Sequence, residues 1–184
     1  MTETVKGITV YGASSSRIAQ AYFDAAFEVG AGIARAGVPL INGAGYRGLM
    51  GASIDGALGA GGSCIGVIPR FMADKGWAHP GITDLRVTDS MHERKAMMAG
   101  LARGVIALAG GIGTFDELCE MLTWRQLGLF QGPVVILNTA GYYDPFLAML
   151  SRAEEEGFMR PSEGRLFELT SDPAEAVRMA LSEN

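Results

Sequence analysis

The sequence predicts an α/β fold of the Rossmann-like, doubly wound kind: a parallel sheet between two helical layers, a three-layer α/β/α sandwich. Three observations carry this. Short β-branched apolar runs alternate with longer segments of helical period along the whole chain. The strand-like runs are apolar on both faces, as strands of a parallel sheet covered on both sides must be. Glycine, at 26 of 184 residues, is well above its ~7% average and gathers in turns that follow those runs. A chain of 184 residues holds one domain's worth of core and falls short of the roughly 200 or more that a closed eight-unit barrel needs. We expect a single domain over residues 1–184.

The elements follow in order. Gly7–Tyr11 (GITVY) is the first strand, then Gly12 to Ser16 form a turn. A helix is expected over 17–36, with Ile18, Ala21, Tyr22, Ala25, Val29 and Ile33 at helical spacing and Gly37 as its stop. Residues 39–42 (PLIN) make a second strand, 43–48 a glycine turn, and 49–58 a helix ended by Gly59, Gly61 and Gly62. Residues 63–68 (SCIGVI) are a third strand closed by Pro69. Residues 70–81 show no period and are expected to be a mobile loop. Asp84–Thr88 is a short strand, and Ser90 caps a helix running to Leu101. The scheme then repeats: strand 104–108, turn 110–113, helix 114–127, strand 133–138, helix 143–156, strand 166–170 and helix Pro173–Leu181. In such sheets ligands sit beyond the carboxyl ends of the strands, where these glycine turns lie.

Composition removes several classes of function. A net charge of −5 argues against a broad nucleic-acid footprint. No run of about 18 apolar residues exists to span a membrane. The opening MTETVKGITVYG lacks the charged and apolar regions of a secretory signal. Cys64 and Cys119 sit in apolar runs without metal or redox spacing and read as two buried thiols. A cytoplasmic location is therefore expected.

Three segments carry candidate chemistry. Gly43-Ala44-Gly45-Tyr46-Arg47-Gly48 fits G-x-G-x-x-G between a strand and a helix. It follows the second strand rather than the first, and no acidic residue ends the next strand to meet a ribose. A tight turn, a mononucleotide phosphate seat and a dinucleotide site all stay open. Ala109-Gly110-Gly111-Ile112-Gly113-Thr114-Phe115-Asp116-Glu117 places glycines before a helix start, whose free amides and dipole attract an anion. No Lys-Ser/Thr pair follows, so it is not a Walker A loop. Thr114 and Glu117 have the spacing of a capping box, while a carboxylate at that place also suits ribose hydroxyls or positive charge at C1′. In Ser90-Met91-His92-Glu93-Arg94-Lys95-Ala96-Met97-Met98, the methionines recur at helical spacing and read as core, and His92 has no metal-ligand partners. Arg94 and Lys95 read either as solvated surface charges or, since cations at a helix start oppose its dipole, as charges placed there for a function.

Taken together, these segments resemble the LOG ("Lonely guy") family of cytokinin riboside 5′-monophosphate phosphoribohydrolases, whose bacterial members often carry the label "lysine decarboxylase". The family's P-G-G-x-G-T-x-x-E motif matches Gly110 to Glu117, and its M-H-x-R-K motif matches Met91 to Lys95. Gly48-Leu49-Met50-Gly51, Thr123-Trp124-Arg125-Gln126-Leu127-Gly128 and Leu137-Asn138-Thr139-Ala140-Gly141-Tyr142-Tyr143 extend the resemblance over about residues 7–160. It implies hydrolysis of the N-glycosidic bond of a purine nucleoside 5′-monophosphate such as AMP or isopentenyl-AMP, giving free base and ribose 5-phosphate. It also implies Arg94 and Glu117 as catalytic residues. The nucleotide site would use Lys95, Gly110, Gly111, Ile112, Gly113, Thr114, Phe115, Asp116 and Thr123, together with Gly43, Gly45 and Ser14 from the earlier turns. No metal or cofactor is called for, and a homodimer or larger even-numbered homo-oligomer is expected. The chain departs from the family pattern at Ala109 (usually proline), at Ala44 (usually glycine) and at Gly76, where many relatives carry a glutamate that helps line the nucleotide site. Trp77 either stacks on a base or anchors its loop. Pyridoxal chemistry needs a Schiff-base lysine, and none of Lys6, Lys75 and Lys95 has a context for it. The alternative from another class is a non-catalytic carrier of a nucleotide or a molybdenum cofactor on the same fold.

Overall fold

The computed structural model describes residues 6–159 and 166–182. Strands and helices alternate as β1 (Gly7–Tyr11), α1 (Gln20–Arg35), β2 (Leu40–Asn42), α2 (Gly48–Gly59), β3 (Cys64–Pro69), α3 (Arg70–Ala73) and β4 (Asp84–Thr88). They continue as α4 (Met91–Leu101), β5 (Ala102–Ala107), α5 (Ile112–Gln126), β6 (Val134–Leu137), α6 (Asp144–Glu155), β7 (Glu168–Thr170) and α7 (Pro173–Leu181). All neighbouring strands pair in parallel, in the order β4-β3-β2-β1-β5-β6-β7. The chain winds outward from β1 to β4, then returns to place β5 against the free side of β1. This reversal opens a crevice between the ends of β1 and β5, where doubly wound sheets bind ligands.

Side-chain alternation along each strand sorts the core into two apolar layers. Ile8 and Val10 of β1, Leu40, Ile106, Val135 and Leu137 pack beneath α1, α2 and α7. Tyr11, Ile41, Val105, Ala107, Val134 and Ile136 pack beneath α4, α5 and the start of α6. Each fully buried Ile or Leu contributes about 1.5–3 kcal/mol relative to an exposed one, and both faces of the central strands are filled this way. Edge strands β4 and β7 remain partly exposed, with Leu85, Val87 and Leu169 facing outward. Among the described residues no helix is long and apolar enough to cross a membrane.

The expected elements all form, with β5 starting two residues early at Ala102, β7 two residues late at Glu168, and further differences as follows. Helix α1 starts at Gln20 rather than residue 17, because Ala19 is extended and offers no side-chain cap. Helix α5 starts at Ile112, before Thr114. Cys64 is buried, and burial pushes its thiol up to about 12, but Cys119 is exposed on α5. Residues 70–81 are not an open loop. They form the one-turn helix α3 and a turn at Gly76, whose φ of 70° suits glycine, then add a bridge between Ala78 and Gly45. Tyr46 N donates to Trp77 O at 3.2 Å and His79 N to Ala44 O at 2.8 Å. His79 Nε2 lies 3.0 Å from Asp55 Oδ1 of α2, which ties the end of the segment down.

Candidate functional site

A cavity of about 620 Å³ lies across the carboxyl ends of β3, β2, β1 and β5. Its two ends differ in chemistry. On the β1/β5 side the lining is backbone and hydroxyl: Ser14 and Ser15, then Gly111, Ile112, Gly113 and Thr114. On the β2/β3 side it is largely apolar, with Met50, Ile68, Met72, Trp77 and Met91, joined by Tyr46 and the charged Arg47. Arg94 and Glu117 lie on the wall with them, beside Gly43 and Gly45.

The amide end follows from how α5 begins. Gly111 is its N-cap and no side chain caps it. The first amides of a helix have no intrahelical partner, so those of Ile112, Gly113 and Thr114 are left for an outside acceptor. Phe115 N is the first to bond back, to Gly111 O at 3.0 Å. This is an anion seat without a lysine. Because Thr114 lies inside the helix, the capping-box reading of Thr114 and Glu117 does not hold. A box-like cap is one helix earlier: Ser90 Oγ accepts from Glu93 N at 3.1 Å, and Glu93 Oε2 accepts from the N–H of Asp89, one residue before the cap, at 2.9 Å. It sets the start of α4 and so the first turn that carries Met91 and Arg94.

Arg94 is only 6% exposed. Its Nε donates to Val67 O at 3.0 Å, its Nη2 to Gly43 O at 3.3 Å, and its Nη1 stands 3.5 Å from Glu117 Oε1. Gly43 is what admits it, since a methyl there would lie 1.8 Å from Nη2. Burial pushes the Glu117 carboxyl up from its ordinary 4.5 to about 7; Arg94 pulls it down, and Asp116 raises it again. Arg94 therefore holds the carboxylate in place, but does not by itself keep it ionised. The Tyr11 phenol beneath is raised by burial first and by Glu117 and Glu120 next.

The expected site residues divide. Arg94, Glu117, Gly43, Gly45, Ser14, Gly111, Ile112, Gly113 and Thr114 come together on one cavity. Lys95, Gly110, Phe115, Asp116 and Thr123 do not line it. Lys95 Nζ pairs with Asp116 Oδ2 at 3.0 Å and Glu120 Oε1 at 3.4 Å; burial lowers its pKa, but the two carboxylates outweigh that and raise it. Thr123 is exposed and donates back to Cys119 O at 2.8 Å. Gly110 and Phe115 sit behind the seat, Gly110 against Thr114 and Phe115 among aromatic rings. The Ala44 methyl is buried against the place where a Gly66 side chain would stand, so it does not line the cavity. Of the apolar wall, sequence reasoning named only Trp77. Methionines at helical spacing read as core, which holds for Met98, whereas Met91 is exposed at the cavity. Among the described residues no three His, Cys, Asp or Glu side chains group as metal ligands.

A family model described as "Possible lysine decarboxylase" matches residues 50–180. A cytokinin riboside 5′-monophosphate phosphoribohydrolase from Rhodococcoides fascians is 42% identical over 160 residues, 86% of this chain and 81% of that protein. One from Arabidopsis thaliana is 38% identical over 157 residues, 85% of this chain and 74% of that protein. Among solved structures, the molybdenum cofactor carrier protein of Chlamydomonas reinhardtii superposes with a TM-score of 0.71 at 26% identity, covering 94% of both chains. The molybdenum cofactor binding protein of Rippkaea orientalis shares the fold, with a TM-score of 0.72 at 21% identity and 96% of both chains covered.

Proposed function

The chain belongs to the LOG family of cytokinin riboside 5′-monophosphate phosphoribohydrolases, and on that premise we propose that it hydrolyses the N-glycosidic bond of purine nucleoside 5′-monophosphates, AMP and N6-substituted AMP such as isopentenyl-AMP. The observation that carries this reading is the buried Arg94–Glu117 pair on the wall of a cavity that is amide-lined at one end and largely apolar at the other. A 5′-phosphate fits the free amides of α5, and a purine fits the wall of Met72, Trp77 and Met91. The ribose then spans the middle, with C1′ toward Glu117.

As the C1′–N9 bond breaks, its electron pair goes to the base and positive charge builds on C1′ and O4′. The Glu117 carboxylate stabilises that charge, and preorganised charge in a site shielded from water is usually the largest catalytic contribution. Water adds to C1′, giving ribose 5-phosphate, and its proton ends on the departing base. A carboxyl with a pKa near 7 is matched to carrying that proton. Arg94 fixes the carboxylate through the second turn of α5 while its other nitrogens are held by Val67 O and Gly43 O.

The decarboxylase description finds no support in the lysines. Lys95 is engaged by two carboxylates, Lys75 lies 4.9 Å from the centre of the Trp77 ring, and Lys6 precedes β1 at the end of the sheet away from the cavity. Carriage of a nucleotide or molybdenum cofactor without turnover is the second reading, favoured by the shared fold of the carrier proteins. Incubation with AMP and isopentenyl-AMP, followed by chromatography, separates the two. Release of free base is expected from both substrates, and none from either would leave the carrier reading. The same proposal includes an even-numbered homo-oligomer, supported by exposed Ile112 and Leu127 of the α5 region, Leu129 beyond it and Met149 of α6. A persistent monomer in light scattering at micromolar concentration would remove that part.

A further inference from the structure

Three consecutive carbonyls leading into the anion seat are each taken by a donor from elsewhere in the chain. Leu108 O accepts from Tyr143 Oη at 2.7 Å, Ala109 O from Ala13 N at 3.0 Å, and Gly110 O from Tyr142 Oη. The two tyrosines follow β6 and are themselves set by Asn138. Its Oδ1 accepts from Tyr143 N at 2.7 Å, and its Nδ2 donates to Asp144 Oδ1 at 2.7 Å. Their rings meet edge to face at 5.3 Å, and Phe115 of α5 stacks on Tyr142 at 6.5 Å. Tyr143 is fully buried, while Tyr142 is 37% exposed.

A trans peptide group points its C=O and its N–H in opposite directions. Fixing the Gly110 carbonyl therefore fixes the direction of the Gly111 N–H, and Gly111 lines the cavity. The turn contains Gly110, Gly111 and Gly113, and glycine loses more conformational freedom on ordering than any other residue. A turn left loose would pay that entropy each time an anion bound. The hydroxyl also polarises the Gly110–Gly111 peptide, and chained hydrogen bonds strengthen one another.

We propose that Tyr142 is a positioning residue for the phosphate seat, with Tyr143 as its buried support. The Tyr142 hydroxyl locks the Gly110–Gly111 peptide plane, so that the turn leading into the free amides of α5, with the Gly111 N–H beside them, meets the 5′-phosphate already in place. This rests on the nucleotide reading of the cavity. The effect is confined to the anion end, because neither tyrosine lines the cavity and both act through the carbonyls that lead into the seat.

The test is calorimetric binding of ribose 5-phosphate and, separately, of adenosine, to wild type and to Tyr142→Phe, Tyr143→Phe and Tyr22→Phe, with KM and kcat for AMP alongside. Each change removes one hydroxyl and keeps the ring. Tyr142→Phe should weaken ribose 5-phosphate about five- to tenfold, the worth of one hydrogen bond, and raise KM for AMP to match. Adenosine binding should stay unchanged and kcat should stay within about threefold. Tyr143→Phe should act in the same direction with a lowered thermal midpoint, since it strands a buried carbonyl. Tyr22, whose ring touches Tyr142 at 6.1 Å, should lose its hydroxyl without effect. Unaltered ribose 5-phosphate affinity in Tyr142→Phe, or equal loss for adenosine, overturns the lock. Wild-type protein that binds neither ligand overturns the nucleotide reading, and the lock with it.

Discussion

Gly43 is a glycine because the guanidinium of Arg94 occupies the space its side chain would fill: a Cβ there would stand 1.8 Å from Nη2 and 3.0 Å from Cζ. Gly43→Ala should therefore displace Arg94, break its bond to Gly43 O and its contact with Glu117, and lower hydrolysis of AMP by at least about tenfold. In an Arg94→Ala background the same methyl should change little. The double-mutant cycle is the check, and additive losses would mean that Gly43 and Arg94 act separately.

Glu117→Gln keeps shape and deletes charge. With the capping role excluded, turnover of AMP and isopentenyl-AMP should fall on the order of 10²–10³-fold, roughly 3–4 kcal/mol of transition-state stabilisation. Ribose 5-phosphate should still bind, because its seat is backbone. A loss of less than about fivefold would take the carboxylate out of the chemistry.

The same variant separates the ionisation of Glu117 from every other titration. The folded protein holds this proton up to about pH 7, whereas the unfolded chain releases it near the ordinary 4.5. The carboxyl's contribution to stability is thus complete below pH 4.5 and is lost as pH rises through 7. Glutamine has nothing to lose, so Glu117→Gln should gain on wild type between pH 4.5 and 8 by on the order of 2–3 kcal/mol. Thermal midpoints measured across that range should show a gap widening by several degrees. A gap that is flat with pH contradicts the raised carboxyl.

Ser90→Ala removes the acceptor for Glu93 N and with it the side-chain cap of α4. A loss of about 1 kcal/mol, or roughly 2–4 °C in midpoint for a chain of this size, is expected from denaturation. Glu93→Ala should cost less, as Ser90 still caps. No change in Ser90→Ala would place the start of α4 under tertiary contacts alone.

The layered fold was readable because local signals agree: β1, β2 and β6 are largely apolar, and glycine turns follow β1, β2 and β5. Helix starts were less so. Residues 17–19 continue the helical period yet stay outside α1, because the backbone is extended at Ala19. Residues 70–81 gave no period because what shapes them is distant: the carbonyls and amides of Ala44 and Tyr46, and the carboxylate of Asp55. In the site, Arg94 and Glu117 stand in motifs of fixed spacing. Lys95 belongs to the same motif, but one position along a helix turns a side chain by about 100°, here toward Asp116 and Glu120. Met91 and Met98 share a helical face in the sequence, and only the ends of the neighbouring strands decide that one meets the cavity and the other the core.

Because β5 lies against β1 instead of β4, the cavity is a seam between the first and second halves of the chain. Ser14 and Ser15 belong to one half, Gly111 and Glu117 to the other. No partly folded form holding β1 to β4 alone can bind what the finished protein binds. Occupancy then acts as a selective rivet: at a hundredfold excess over Kd it adds about 2.7 kcal/mol to any opening that parts β1 from β5. Fraying of β7 and α7 at the far edge leaves the seam intact and gains nothing. Hydrogen exchange in such a protein would become more uneven on ligand binding, with the middle of the sheet slowing while its rim keeps its pace.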